Sequence, residues 1–246
     1  MGFTFSHPAL IVPFRYLPNK YYSVSGLVIG SMIPDFEYFI RFGSISNYSH
    51  TFGGIFWFDL PLAFLVLYLF HELVRNPLIN NSPDFIRFRL WRFGQFNWPN
   101  YLKHHLFITT ISVLIGIATH LFWDSWTSGS GYFVEKYDVF LEPIHIGNST
   151  VLVYQISKNL SSLLGAVVVY YQLLLLPKSA PPFTKKNNYY WLIFFAFLTV
   201  IVLVQYVLGF HVRTYTGLVK KMLSSGLSAL ILVSLIFRQP NISKLS

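Results

Sequence analysis

The chain contains no cysteine. That excludes disulfides, thiolate nucleophiles and cysteine-ligated metal sites, so any metal must be held by His, Asp or Glu. Charge is also scarce: 11% of residues are Asp, Glu, Lys or Arg, against about 25% in soluble domains. Acidic residues are the scarcer kind, nine against 18 Lys and Arg, for a net charge of +9. Gly-x-Ser-x-Gly elbows, phosphate-binding loops, dinucleotide fingerprints and repeats of solenoid length are all missing, which removes support for serine nucleophiles and nucleotide-driven mechanisms. The start lacks a basic region followed by an apolar core and a cleavage site, so the mature chain is expected to begin near Met1. Met1-Gly2 with Ser6 meets the bare myristoylation pattern, and Asn47-Tyr48-Ser49 and Asn148-Ser149-Thr150 meet the glycosylation pattern. The first is read as chance and the other two say nothing without a secretory context.

What is present is apolar. Of 246 residues, 54% are hydrophobic and 19% aromatic, with a mean hydropathy of +0.51. Long apolar stretches run at about 55–70, 106–127, 151–176, 189–210 and 222–237, with a shorter one at 22–34. A bilayer core needs about 20 helical residues. The expectation is an all-α polytopic membrane protein with five or six membrane-embedded helical segments. One integral membrane domain covers 1–246, with a metal-site half at 1–127 and an outer loop plus C-terminal helices at 128–246. The stretch at 55–70 is short and holds Asp59, which places its outer end at the interface.

The N-terminal pair reads as a short helical hairpin. Ser6 would cap the first helix with Pro8 in its first turn, Leu17-Pro18-Asn19-Lys20 would turn, and the stretch from Val24 would return towards Pro34. Each helix would cover roughly half to two thirds of the hydrocarbon, bringing His7 and Asp35 to one level. A loop from His71 to Lys103 carries Arg75, Arg87, Arg89, Arg92 and Lys103, and a later connection carries Lys178, Lys185 and Lys186. Both belong in the cytoplasm by the positive-inside rule, and the acidic loop from Ser128 to Thr150 belongs opposite. Arg213, Lys220 and Lys221 fall on the outer side and disagree with this placement. Phe88, Trp91, Phe93, Phe96, Trp98 and Tyr101 interleave with the arginines as an interfacial segment would; no nucleic-acid partner is expected, only membrane lipids.

In so apolar a chain the ionisable residues at span ends carry the information, since each costs several kcal/mol if left unpaired in hydrocarbon. His120 and Asp124 stand four apart, on one helix face, the spacing by which a helix offers two ligands to a metal. A His–Asp hydrogen bond closing the span is the plainer reading of that pair. Asp35 can equally cap the next helix, and His50 and His7 can be loop and turn residues. The predicted topology nonetheless brings His7, Asp35, His50, His120 and Asp124 to one rim, with Gly26, Gly30 and Ser31 allowing close helix approach. Such N/O donors suit zinc first, then manganese or iron, and point to hydrolysis; with two ions, Asp35 or Asp124 would bridge them. Glu37, two residues beyond Asp35, is a further catalytic carboxylate, supporting a ligand or acting as a base. Glu142 and His145 are weaker candidates, although Pro143 disfavours a helix there. His104 and His105 read as interfacial, Lys158 as part of a polar portion of the fourth span, and Asp59, His71 and His211 lack companions.

Phe3-Thr4-Phe5-Ser6-His7-Pro8-Ala9, Gly30-Ser31-Met32-Ile33-Pro34-Asp35-Phe36-Glu37-Tyr38-Phe39, Ser49-His50-Thr51 and His120-Leu121-Phe122-Trp123-Asp124-Ser125 together resemble the bacterial multi-pass membrane family called domain of unknown function 4184. More distantly the chain is similar to membrane-bound metal-dependent hydrolases and zinc-dependent phospholipases C. That similarity implies His7, Asp35, His50, His120 and Asp124 as ligands and a phosphoester or other lipid-linked substrate. It also implies the bacterial cytoplasmic (inner) membrane. The later His-x-x-x-Glu pair of the phospholipases is missing, which argues against three metals. The competing expectation is a non-enzymatic transport component or scaffold, in which the same His and Asp residues are structural.

Overall fold

The computed structural model describes residues 2–42, 46–147, 149–179, 186–210 and 214–238; Met1, Asn148, Lys185, His211 and Arg213 lie outside the described residues. The chain is an all-α polytopic membrane protein, with five helices among the described residues long and apolar enough to cross a bilayer.

A 3₁₀ helix, Thr4–Tyr16, opens the chain. It is followed by α1 (Val24–Gly30), a 3₁₀ turn Ile33–Asp35 and α2 (Phe36–Ile40). The first span, α3, is Phe52–Asn81 and contains two π turns, Ile55–Asp59 and Phe70–Val74. Then come α4 (Asp84–Gly94), α5 (Trp98–Thr127) and α6 (Tyr132–Lys136). An antiparallel hairpin of β1 (Pro143–Ile146) and β2 (Ser149–Leu152) leads into α7 (Val153–Leu175), α8 (Tyr190–Val207) and α9 (Tyr215–Ile236). Two compact units result: one of residues 1–35, 48–63 and 105–172, the other of 36–47, 64–104 and 173–246.

Several boundaries differ from those expected. The first helix is 3₁₀ and starts at Thr4; Ser6 lies inside it, its hydroxyl donating to Phe3 O at 2.6 Å. Pro8 and Pro13 remove donors from any α-helical ladder, and the bonds at the helix ends close over three residues (Ser6 N to Phe3 O, Leu17 N to Phe14 O). At about 2.0 Å per residue the 13-residue helix is roughly 26 Å long, more than an α-helix of that length would reach. The loop expected from His71 to Lys103 is largely helical, because the first span continues to Asn81 and α4 follows. The continuation buries Arg75, which the second unit satisfies: its guanidinium reaches His71 Nδ1 at 3.0 Å and Asn76 Oδ1 at 3.1 Å. The next span begins at Trp98 and bends at His105 (φ −128°, ψ 26°). The last span begins at Tyr215, so Lys220 and Lys221 sit within it. Lys221 donates to Phe210 O at 3.1 Å, and Lys220 lies 3.6 Å over the Tyr38 ring.

In the first unit α1 crosses α5 with backbones touching. A Cβ at Gly30 would overlap Val113 O, and one at Gly116 would come within 2.6 Å of Ser31 N. Only glycine permits that approach. It holds the end of α1, and the Ile33–Asp35 turn beyond it, against the C-terminal half of α5. On the other side the N-terminal 3₁₀ helix is tied to α7, where Phe3 N donates to Ser162 Oγ at 3.0 Å and Arg15 to Gln172 at 2.7 Å.

Candidate metal centre

The first unit brings Asp35, His50, His120 and Asp124 together. One ligand atom from each lies within 4.8 Å of all the others. His120 and Asp124 come from consecutive turns of α5, Asp35 ends the turn after α1, and His50 stands in the loop before α3.

Pairwise, His50 Nε2 is 3.4 Å from Asp124 Oδ2, and His120 Nε2 is 3.7 Å from both Asp35 Oδ1 and Asp124 Oδ2. These separations are at or beyond the outer edge of hydrogen-bond length. They are close to the roughly 3.3 Å between neighbouring ligands of a tetrahedral ion with bonds of about 2.0–2.1 Å. Asp35 Oδ1, His120 Nε2 and Asp124 Oδ1 are buried without a hydrogen bond. Buried polar atoms in native proteins have partners as a rule, so three such atoms on residues of one cluster fit a cation-binding donor set.

Neighbouring groups aim these donors. The carbonyl of Ser31 is 2.8 Å from His120 Nδ1; a carbonyl only accepts, so the proton sits on Nδ1 and the Nε2 lone pair faces the cluster. Thr4 Oγ1 donates to Asp35 Oδ2 at 2.7 Å, leaving Oδ1 for the cluster. Asp35 and His120 are fully buried, whereas the side chains of His50 and Asp124 are 25% and 9% exposed. The open side is therefore that of His50. Burial raises the Asp35 carboxyl above its ordinary value. At His50 burial works against the charged ring, but the Asp124 carboxylate outweighs it and the shift is upward, with Asp35 and Asp59 adding to it. Among the described residues the ion pairs of Asp35 and Asp124 are with histidines alone.

His7 reaches the same place but is not one of the four. Its ring stacks on His120, centroids 4.0 Å apart and planes 18° from parallel, and both its nitrogens are buried without a hydrogen bond. Glu37 belongs to the second unit. There its carboxylate accepts from Arg41 Nε at 2.8 Å, Ser46 Oγ at 2.7 Å and Asn47 N at 2.9 Å. Three donors, one of them cationic, occupy its carboxylate away from the cluster. Glu142 precedes the β-hairpin, and His145 Nδ1 there is 3.1 Å from Thr150 Oγ1.

Asp59 is the residue that sequence reasoning passed over. It is fully buried rather than interfacial, accepts from Ser49 Oγ at 2.6 Å, and lies close enough for its charge to act on His50. Two signals pointed to it: an ionisable residue inside an apolar span, and a neighbouring Ser-His pair in the preceding loop.

Among known proteins, a family model described as "Domain of unknown function (DUF4184)" matches residues 1–238. No curated protein and no solved structure matches. The match runs through every segment that contributes to the cluster and brings no reaction with it. By that match the chain belongs to the DUF4184 family.

Proposed function

We propose that this membrane protein is a metal-dependent hydrolase acting on a phosphoester or other lipid-linked substrate, in the bacterial cytoplasmic membrane, with zinc, or else manganese or iron, held by Asp35, His50, His120 and Asp124. The observation that carries the reading is the convergence of four donors at 3.4–3.7 Å, the two 3.7 Å pairs at His120 being too long for hydrogen bonds and the set as a whole spaced for a shared cation. Four donors at this spacing match one ion rather than two.

A divalent ion in such a set polarises a phosphoryl oxygen and lowers the barrier to attack by water near neutral pH. The chain's own part is preorganisation. Ser31 O holds the His120 tautomer, Thr4 holds Asp35, and the buried faces of both exclude bulk water. His7, stacked on His120 from the N-terminal helix, packs against that ring without being one of the four donors. The substrate enters on the His50 side. Tyr48 and Phe52, two residues to either side of His50, are exposed, as are Phe56 and Trp57; exposed aromatics there suit an amphiphilic molecule presented from the membrane. Glu37 has no part in this reading, since its charge is already met by Arg41.

A transport component or scaffold would have the same residues close into hydrogen bonds with one another. The 3.7 Å gaps at His120 speak against that. Metal analysis of the detergent-purified protein is the test, with about one equivalent of zinc per chain expected and less than about a tenth, even after zinc addition, removing the mechanism. Hydrolysis of a chromogenic phosphodiester should then vanish in Asp124→Asn.

A further inference from the structure

Of the four residues in the cluster, His50 alone stands outside any helix or helical turn. Its backbone is left-handed, φ 70°. Non-glycine residues stay in that region only when their surroundings hold them there, and such residues gather at functional sites.

Two devices hold the loop. The first is local. Thr51 Oγ1 donates to Tyr48 O at 2.6 Å and accepts from Gly54 N at 3.0 Å, and a Cβ at Gly54 would collide with Tyr48 O. This closes the turn around His50 and starts α3. The second reaches further. Ser49 Oγ, buried next to His50, donates to Asp59 Oδ1 at 2.6 Å. Asp59 is the last residue of the π turn Ile55–Asp59. A π turn takes in one residue more than an α turn and so changes the face on which the following side chains lie; such turns are frequent at functional sites. A buried carboxylate in an apolar span is costly, and the Ser49 hydroxyl offsets part of that cost.

We propose that Asp59 is a positioning residue of the metal centre: through Ser49 it locks the left-handed His50 with Nε2 facing Asp124, and its charge adds to the field that draws a cation. This rests on the metal-centre reading above. Asp59 touches neither ion nor substrate; it sets how firmly the most exposed of the four donors is presented. Loss of a group that orients a ligand typically weakens metal binding about ten- to a hundredfold.

The test uses full-length protein in detergent, stripped with a chelator and titrated with zinc, and separately loaded with cobalt(II) to read its visible absorption. Ser49→Ala and Asp59→Asn are expected to weaken zinc about ten- to a hundredfold and to change the cobalt spectrum. Ser49→Thr, which keeps the hydroxyl, is expected to restore both. Affinities for Ser49→Ala and Asp59→Asn within about twofold of the wild type, with its cobalt spectrum, would overturn the proposal. If Asp59→Asn does not fold, the Ser49 pair decides alone, since a lost hydroxyl rescued by threonine has no bearing on a buried charge. Wild-type protein that takes up no zinc would bring down the metal centre and this proposal together. Zinc bound equally by wild type and variants would bring down only the role of Asp59.

Discussion

The two units treat buried polar groups in opposite ways. In the second, His71 stacks on Trp98 at 4.3 Å and its Nδ1 takes an N–H from Arg75 at 3.0 Å. Glu37 takes three donors, Gln205 Nε2 reaches Ser225 Oγ at 3.1 Å, and Ser224 Oγ reaches the Phe39 carbonyl. In the first unit, by contrast, two histidines and two carboxylates face one another across 3.4–3.7 Å, with unbonded atoms on three of them. Closed networks rigidify a membrane bundle, whereas an open set of donors is suited to hold a ligand. The comparison separates histidines closed into local networks from histidines left facing carboxylates, without appeal to their sequence context.

The largest effect should come from removing a donor. His120→Ala is expected to lower zinc affinity by more than about a hundredfold, measured by metal analysis after dialysis, because losing a group that merely orients a ligand already costs about ten- to a hundredfold. His71→Ala in the closed network should leave zinc stoichiometry at the wild-type value. A zinc loss in His71→Ala equal to that in His120→Ala would erase the distinction.

Next in size, Gly30→Leu should prevent α1 from seating on α5, since even a Cβ there overlaps Val113 O. Overpacking of this kind costs about 1–3 kcal/mol or more and should cut both the melting temperature and bound zinc. Chelation should act on the open cluster alone: free zinc at a hundred times its dissociation constant stabilises by about 2.7 kcal/mol. Removing it should lower the melting temperature of the wild type but not of His120→Ala. His71→Phe keeps the stack on Trp98 but leaves an Arg75 N–H without its acceptor, at a cost of about 1–3 kcal/mol, read by thermal unfolding with zinc content unchanged. The smallest effect expected is at Thr51, whose hydroxyl caps α3 through Gly54 N; Thr51→Ala should cost about 1 kcal/mol.

The membrane spans were legible because hydropathy is a local property. The runs at 151–176 and 189–210 correspond to Val153–Leu175 and Tyr190–Val207. Span ends were less legible wherever a charged residue is neutralised by something distant in sequence. Arg75 reads as a loop residue until Gly94 O and His71 Nδ1 are seen beside it, and Lys221 does so until Phe210 O is. The centre was legible in its residue types and in the four-residue step from His120 to Asp124. Asp59 stood out as an ionisable residue within an apolar run, but its tie to Ser49 was not legible, because no local pattern announces the π turn Ile55–Asp59.

Composition and periodicity alone determined that the chain is helical and membrane-embedded, that thiolates play no part, and which few ionisable residues required an explanation. Those facts follow from the chemistry of each residue and its neighbours along the chain. Only the tertiary structure decided that Asp35, His50, His120 and Asp124 converge, that Glu37 is occupied elsewhere, and that His7 stacks on His120 rather than joining the four. Those outcomes depend on separations of a few tenths of an ångström, set by the close approach of α1 to α5 and by a strained loop that other residues hold in place.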